Sequence, residues 1–177
     1  IKDTTIKTTQ NNGGEITVSG KEIKIEGSSK LISQGEQSGG LIQIGGSWQN
    51  SNPYIRQAVY TEIGEDVFIN ASAKDHGNGG EIVIWSDIKN PFSSTVVSGT
   101  FKVDGGQLSG DGGRIETSGA NLVIGENISV SMGSNNGNQG KWLLDPEDYV
   151  VTSTVATELV NAVSYTHLTL PTSGVVW

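Results

Sequence analysis

The chain contains no cysteine, which excludes disulfide staples and thiolate metal sites without fixing a compartment. It contains no apolar run long enough to cross a membrane as a helix, and no signal peptide opens it. Cationic residues are sparse and single. Only Arg56 and Arg114 supply guanidinium groups, and the lysines are scattered between carboxylates. The basic stripe that nucleic acid requires is therefore absent, and no nucleic-acid partner is expected. Net charge is −8 with no acidic block, and charged residues at 17% are too few for an acidic disordered tail. Starting at Ile1 rather than Met, the chain reads as an internal piece, so a missing export signal says nothing about export.

Glycine is what the chain has in excess. There are 25 in 177 residues, about twice the usual ~7%. They recur in pairs ahead of short alternating runs: GGEITV at 13–18, GGLIQI at 39–44, GGEIVI at 79–84 and GGRIET at 112–117. The pairs are spaced by 26, 40 and 33 residues, and Gly140 before Lys-Trp-Leu-Leu resembles a degenerate fifth opening. Further alternating runs follow each pair, several broken in one way, as in Ile63-Gly64-Glu65-Asp66-Val67 and Ile124-Gly125-Glu126-Asn127-Ile128.

Alternation of apolar and polar residues is the signal of a half-buried strand. No helical apolar stripe appears before residue 150. Each repeat therefore predicts about three short strands joined by glycine-centred turns. Units of variable length fit a parallel β-helix, where extra residues bulge outward without disturbing the stack. The longest repeats place such insertions at 45–57, broken by Pro53, and at 86–94, broken by Pro91. The doublets Gly13-Gly14, Gly39-Gly40, Gly79-Gly80 and Gly112-Gly113 are expected at corners, with positive φ and no room for a side chain over the coil beneath.

Three pieces carry a family resemblance: GGEIVIWSD (79–87), GDGGRIETSG (110–119) and KWLLDPEDYVV (141–151). In that order they resemble the filamentous haemagglutinin-like adhesins, large exoproteins of Gram-negative bacteria exported by two-partner secretion. The similarity spans roughly residues 13–152. It implies an all-β, right-handed parallel β-helix, secretion to the cell surface through an outer-membrane β-barrel transporter partner, and a virulence-associated role in adhesion to a receptor. It implies no catalytic residue and no cofactor. The asparagine-rich motifs of the family's export domain are not matched, so the segment reads as shaft downstream of that domain, not as an enzyme and not inserted in a membrane.

The expected organisation is a β-helix repeat segment over 1–152 and the start of a following region over 153–162, with a short helix over 155–162. Trp142, Leu143, Leu144, Asp145 and Pro146 read as a cover for the last coil, since Pro146 cannot donate to a further ladder. Residues 163–172, VSYTHLTLPT, resemble the translation of a transposon-end sequencing adapter, so 163–177 reads as non-native, and Tyr165 and His167 are set aside as site residues.

Candidate chemistry is thin. His76 beside Asp75 suits a solvated turn better than a catalytic pair, because adjacent strand residues face opposite ways. Asp104 and Asp111 among glycines resemble a calcium-binding repeat, but the pattern does not recur in tandem. A β-helical carbohydrate-active enzyme would need grouped acid–base residues, for which Glu116 with Asp111, or Glu65 with Asp66, are the candidates. Trp48, Tyr54, Trp85 and Phe92 lie in or beside the insertions and are candidate glycan or receptor contacts. Trp85 could equally extend the inward alternation of Ile82 and Ile84.

Overall fold

The computed structural model describes residues 1–146 and 167–169. The expectations for 153–162, for the helix over 155–162 and for most of the 163–177 tail lie outside the described residues. Thirteen strands appear in chain order: β1 (Thr5–Thr9), β2 (Glu15–Val18), β3 (Glu22–Ile25), β4 (Lys30–Gln34), β5 (Leu41–Ile44), β6 (Tyr60–Ile63), β7 (Phe68–Asn70), β8 (Glu81–Trp85), β9 (Ser94–Lys102), β10 (Arg114–Gly119), β11 (Asn121–Ser131), β12 (Lys141–Pro146) and β13 (His167–Thr169). All pairings between them are parallel.

The first ladder runs β2-β5-β8-β10-β12-β13. The other sheet runs β1-β4-β7-β9-β6-β3, with β11 also on β9. That order folds onto itself because β9 and β11 are long. Ser94–Val97 pairs with β6, while Thr100–Lys102 pairs with β7. The second ladder is thus β3, β6 and the first halves of β9 and β11; the third is β1, β4, β7 and the second halves. Each turn of chain visits the ladders in rotation, giving an all-β domain of parallel, curled sheets with a β-solenoid-like architecture.

The three-strand repeat expected from sequence holds for the first two coils and merges to two strands in the next two. Gly99 is the reason in β9: its φ of +90° lets one strand turn the corner without breaking its pairing. In β11 the register shifts between Ile124 and Ile128 do the same.

Alternation puts like on like in the core. Along the first ladder Ile16, Ile42, Ile82, Ile115 and Trp142 stack in register, and beside them Val18, Ile44, Ile84, Thr117 and Leu144. The third ladder contributes Leu31, Ile69, Phe101 and Val130, all buried. Each such side chain contributes about 1.5–3 kcal/mol by leaving water. In the second ladder Thr61 and Thr95 are also buried. Their hydroxyls donate to the carbonyls of Trp85 and Ser118 at 2.7 Å, tying the second ladder to the ends of first-ladder strands.

The doublets behave differently from the expectation in one respect. Positive φ is confined to Gly13, at +66°. At the others the cause is proximity: a Cβ on Gly39 would lie 2.1 Å from the nitrogen of Gly80, and one on Gly113 2.1 Å from the oxygen of Gly80. Doublet sits on doublet, backbone against backbone. β12 also differs from the expected cover. Trp142 and Leu144 point inward on the stack of Ile115 and Thr117, so the segment is one more rung. β13 lies beyond it on Lys141–Leu143, as an unpaired strand edge invites.

Candidate functional site

Outward residues of the first ladder should meet water, yet Gln43, Val83 and Glu116 are buried. The insertion after β5 folds back over this face as a strap containing a short 3₁₀ turn, Trp48–Asn50. Its backbone N–H at Gln49 donates to Glu116 Oε2 at 2.8 Å, and Ser118 Oγ donates to Glu116 Oε1 at 3.0 Å. Gln49 and Asn50 adopt φ of 46° and 52°, a left-handed conformation that costs a non-glycine residue energy and needs outside support. Support comes from Glu116, from the Arg114 guanidinium 4.1 Å over the Trp48 ring, and from Trp85 Nε1, which donates to Gln57 Oε1 at 3.0 Å.

Burial pushes the Glu116 carboxyl up to about 7, and the neighbouring carboxylates Asp145 and Glu81 add to the rise, against the two hydrogen bonds that favour the anion. Asp145 is raised by burial as well. Arg114 is spent on Glu81, to which its Nε donates at 2.5 Å. The group with the most perturbed acidity therefore sits beneath a closed loop, not in a cleft.

The structure separates the aromatic candidates. Trp85 is buried and serves as the floor of the strap, with its side chain against Gly46, so it is no surface contact. Trp48 is half-buried under Arg114. Tyr54 is 95% exposed and Phe92 87% exposed. These two are accessible to a partner.

The glycine doublets floor a shallow groove of about 1230 Å³ that crosses the coils, with Glu15, Leu41, Glu81, Arg114 and Lys141 along one side. The opposite wall is internally bonded. Asn78 Oδ1 accepts from the Asp111 N–H at 2.9 Å, and Asp111 Oδ1 accepts from the Asn138 N–H at 2.7 Å. Asp104 Oδ1 is likewise occupied by Ser131 Oγ at 2.5 Å and the Gly133 N–H at 2.8 Å. Both aspartates thus tie one coil to the next. Among the described residues no group of three or more His, Asp or Glu side chains is placed to hold a metal ion.

The pair Glu65 and Asp66 lies exposed in a turn, far from Glu116 in the fold's ladder order. Glu65 accepts from Asn127 Nδ2 at 3.1 Å. His76 Nδ1 is 3.1 Å from Ser109 Oγ, both exposed. The Ser109 contact and the strap over Glu116 were missed from sequence, because partners lie 33 and 67 residues apart. The available signal for Glu116 was positional: it follows Thr17, Gln43 and Val83 in one outward row, where charge is absent. Pro146 and Asp145 close β12 opposite Gly119 and Ser118.

No protein-family model matches the chain, and no curated protein matches it either.

Proposed function

We propose that this chain is a structural segment of a large adhesin, a right-handed parallel β-helix exported by two-partner secretion to the surface of a Gram-negative cell. One observation carries the reading: in-register parallel ladders with isoleucine stacked on isoleucine run the length of the described coils. Such a stack gains length at about 4.8 Å per coil and resists bending, the mechanical requirement for holding a binding surface away from a cell. The motifs quoted above supply the family side of the argument. Export through an outer-membrane β-barrel, as an unfolded chain that coils outside, suits a fold assembled from successive neighbours.

The test is delivery. The chain is placed between a two-partner secretion domain and an epitope, in a Gram-negative host with and without the cognate transporter. Surface epitope that depends on the transporter supports the reading. Periplasmic retention with the transporter present overturns it.

A second reading, a β-helical carbohydrate-active enzyme, draws on Glu116, whose acidity near neutrality suits a general acid, but whose carboxyl is wholly buried and would meet a substrate only if the strap at Gln49 opened. Release of reducing ends from a polysaccharide, abolished by Glu116→Gln, would favour it over the shaft.

A further inference from the structure

The strap after β5 is a loop closed on itself. Its two ends are tied together, the Ala58 N–H donating to the Gly45 carbonyl at 2.8 Å. Its body carries its own frame. The Asn50 and Ser51 N–H groups donate to the Ser47 and Trp48 carbonyls at 2.9 Å, and the Asn52 N–H to Ser47 Oγ at 2.9 Å. The Ile55 N–H donates to the Asn52 carbonyl at 3.2 Å. A loop with joined ends and an internal frame keeps its shape without the surface beneath it, and can move as one piece.

Little holds it down. Among the described residues, two hydrogen bonds join 46–57 to the coils: Gln49 N–H to Glu116 Oε2, and Trp85 Nε1 to Gln57 Oε1. The Arg114 guanidinium over the Trp48 ring adds a third contact. Against these stand the left-handed backbones of Gln49 and Asn50, whose strain is relieved on release. Beneath the strap, Thr17, Gln43, Val83, Glu116 and Leu143 follow one another in register on the outer face of the first ladder. The middle of that row, Gln43, Val83 and Glu116, is buried.

The anchor at Gln49 is a carboxyl that no free cation faces. Arg114, on the same strand, is paired with Glu81 of β8. Lys141 of β12 and Arg56 of the strap are exposed, as is the Tyr54 phenol. Asp145 of β12 is a second carboxyl, and it and Glu81 both oppose a charge on Glu116. Closed, the site favours the neutral acid; open, water stabilises the anion. We propose that the strap is a lid worked by this proton: it lies shut while Glu116 is protonated and lifts as a unit when the carboxyl ionises, joining the covered residues to the open ends of their row. The lid goes beyond both readings of function and depends on neither.

The closed carboxyl keeps its proton to about pH 7, an open one only to the ordinary 4.5. The opening constant therefore rises on the order of a hundredfold between pH 5 and 8, most of it before pH 7. Hydrogen exchange of the full chain measures this, each amide being corrected for the intrinsic acceleration of exchange with pH. The Gln49 amide reads the lid, and the amides of β8 and β10 read the stack beneath. Gln49 opens more often than either strand at every pH, and its opening climbs as stated. Glu116→Gln cuts that climb. Gln57→Ala removes the second tie and raises opening roughly severalfold at both ends of the range, with the ratio between them kept. Retained protection of β8 and β10 separates lifting from unfolding. Protection of Gln49 no lower than that of the two strands, or an opening constant equal at pH 5 and 8, overturns the proposal on the parent chain alone. The same climb in Glu116→Gln, or no gain from Gln57→Ala, overturns it on the variants.

Discussion

Gly80 and Gly64 show how differently one residue type is used. A Cβ on Gly80 would lie 1.9 Å from the Gly40 carbonyl oxygen, whereas one on Gly64 would meet nothing nearer than 3.4 Å. Backbone cannot retreat as a side-chain tip can, so Gly80→Ala should cost about 1–3 kcal/mol or more by overpacking, and Gly64→Ala should stay within about 0.5 kcal/mol. Urea unfolding of the two variants measures the contrast. The doublets were visible in the sequence because they repeat, and so was their crowding over the coil beneath; which glycines touch was not, because Gly40 and Gly80 lie 40 residues apart in the chain. Glu116 belongs to the same scale. Its folded pKa of about 7 stands above the ordinary 4.5, so the native state holds this proton more tightly than the unfolded chain. The associated stability is full below about pH 4.5, declines as pH rises and is lost above about pH 7. Glu116→Gln keeps the shape and an acceptor for the Gln49 N–H. It should flatten the stability profile between pH 5 and 8 and exceed the parent at pH 8 by on the order of 3 kcal/mol. Glu36 and Glu62, lowered by their hydrogen bonds to Lys74 and Lys24, act at more acid pH and add no slope there. Asp145, raised by burial, acts in the same direction as Glu116. Equal profiles for parent and variant in thermal unfolding across this range would mean the strap does not bury the carboxyl.

Strands were legible wherever inward and outward residues alternate, as in Glu22-Ile23-Lys24-Ile25 and Lys30-Leu31-Ile32-Ser33. The merging of strands in β9 and β11 was not, because Ser98-Gly99 and Gly125-Glu126-Asn127 carry turn chemistry that long strands tolerate once neighbouring coils supply the pairing. β12 makes the same point from the other side: Trp-Leu-Leu-Asp-Pro carries the composition of a terminus, yet its alternation of buried Trp142, Leu144 and Pro146 with more exposed residues is that of a rung. The indole also donates to Thr117 Oγ1 at 3.1 Å inside the stack. Trp142→Ala should therefore cost about 3–5 kcal/mol by opening a cavity and leaving the threonine hydroxyl without this partner. Leu143→Ala, half-buried on the outer face, should cost much less. A cover lying loosely over the last coil would give similar, small losses for both, and chemical denaturation of the pair distinguishes the two.

A stack of coils has no single centre, so its stability is set by neighbour-to-neighbour contacts rather than by distance from a core. The ion pairs follow the same grain: Lys24–Glu62, Lys74–Glu36 and Arg114–Glu81 each connect one coil to the next, though such exposed pairs contribute only about 0–1 kcal/mol apiece. Apolar stacking must then carry the rest, and it is unequal along the axis. Ile82 is covered by Ile42 on one side and Ile115 on the other and is wholly buried, while among the described residues Ile16 pairs only with Ile42 and retains 6% exposure. Deleting the same side chain at both positions tests whether the molecule behaves as a one-dimensional stack. Ile82→Ala removes two packed neighbours' contacts and should cost about 2–5 kcal/mol. Ile16→Ala removes one set and should fall at or below the lower end of that range, with hydrogen exchange rising only in β2 and its immediate neighbours. Global exchange from the Ile16 variant, or equal losses at the two sites, would mean the coils unfold as one unit and that the stack picture overstates their independence. Graded losses with local exchange would instead mean that coils can be added or removed with little effect at a distance, the property a shaft of adjustable length needs.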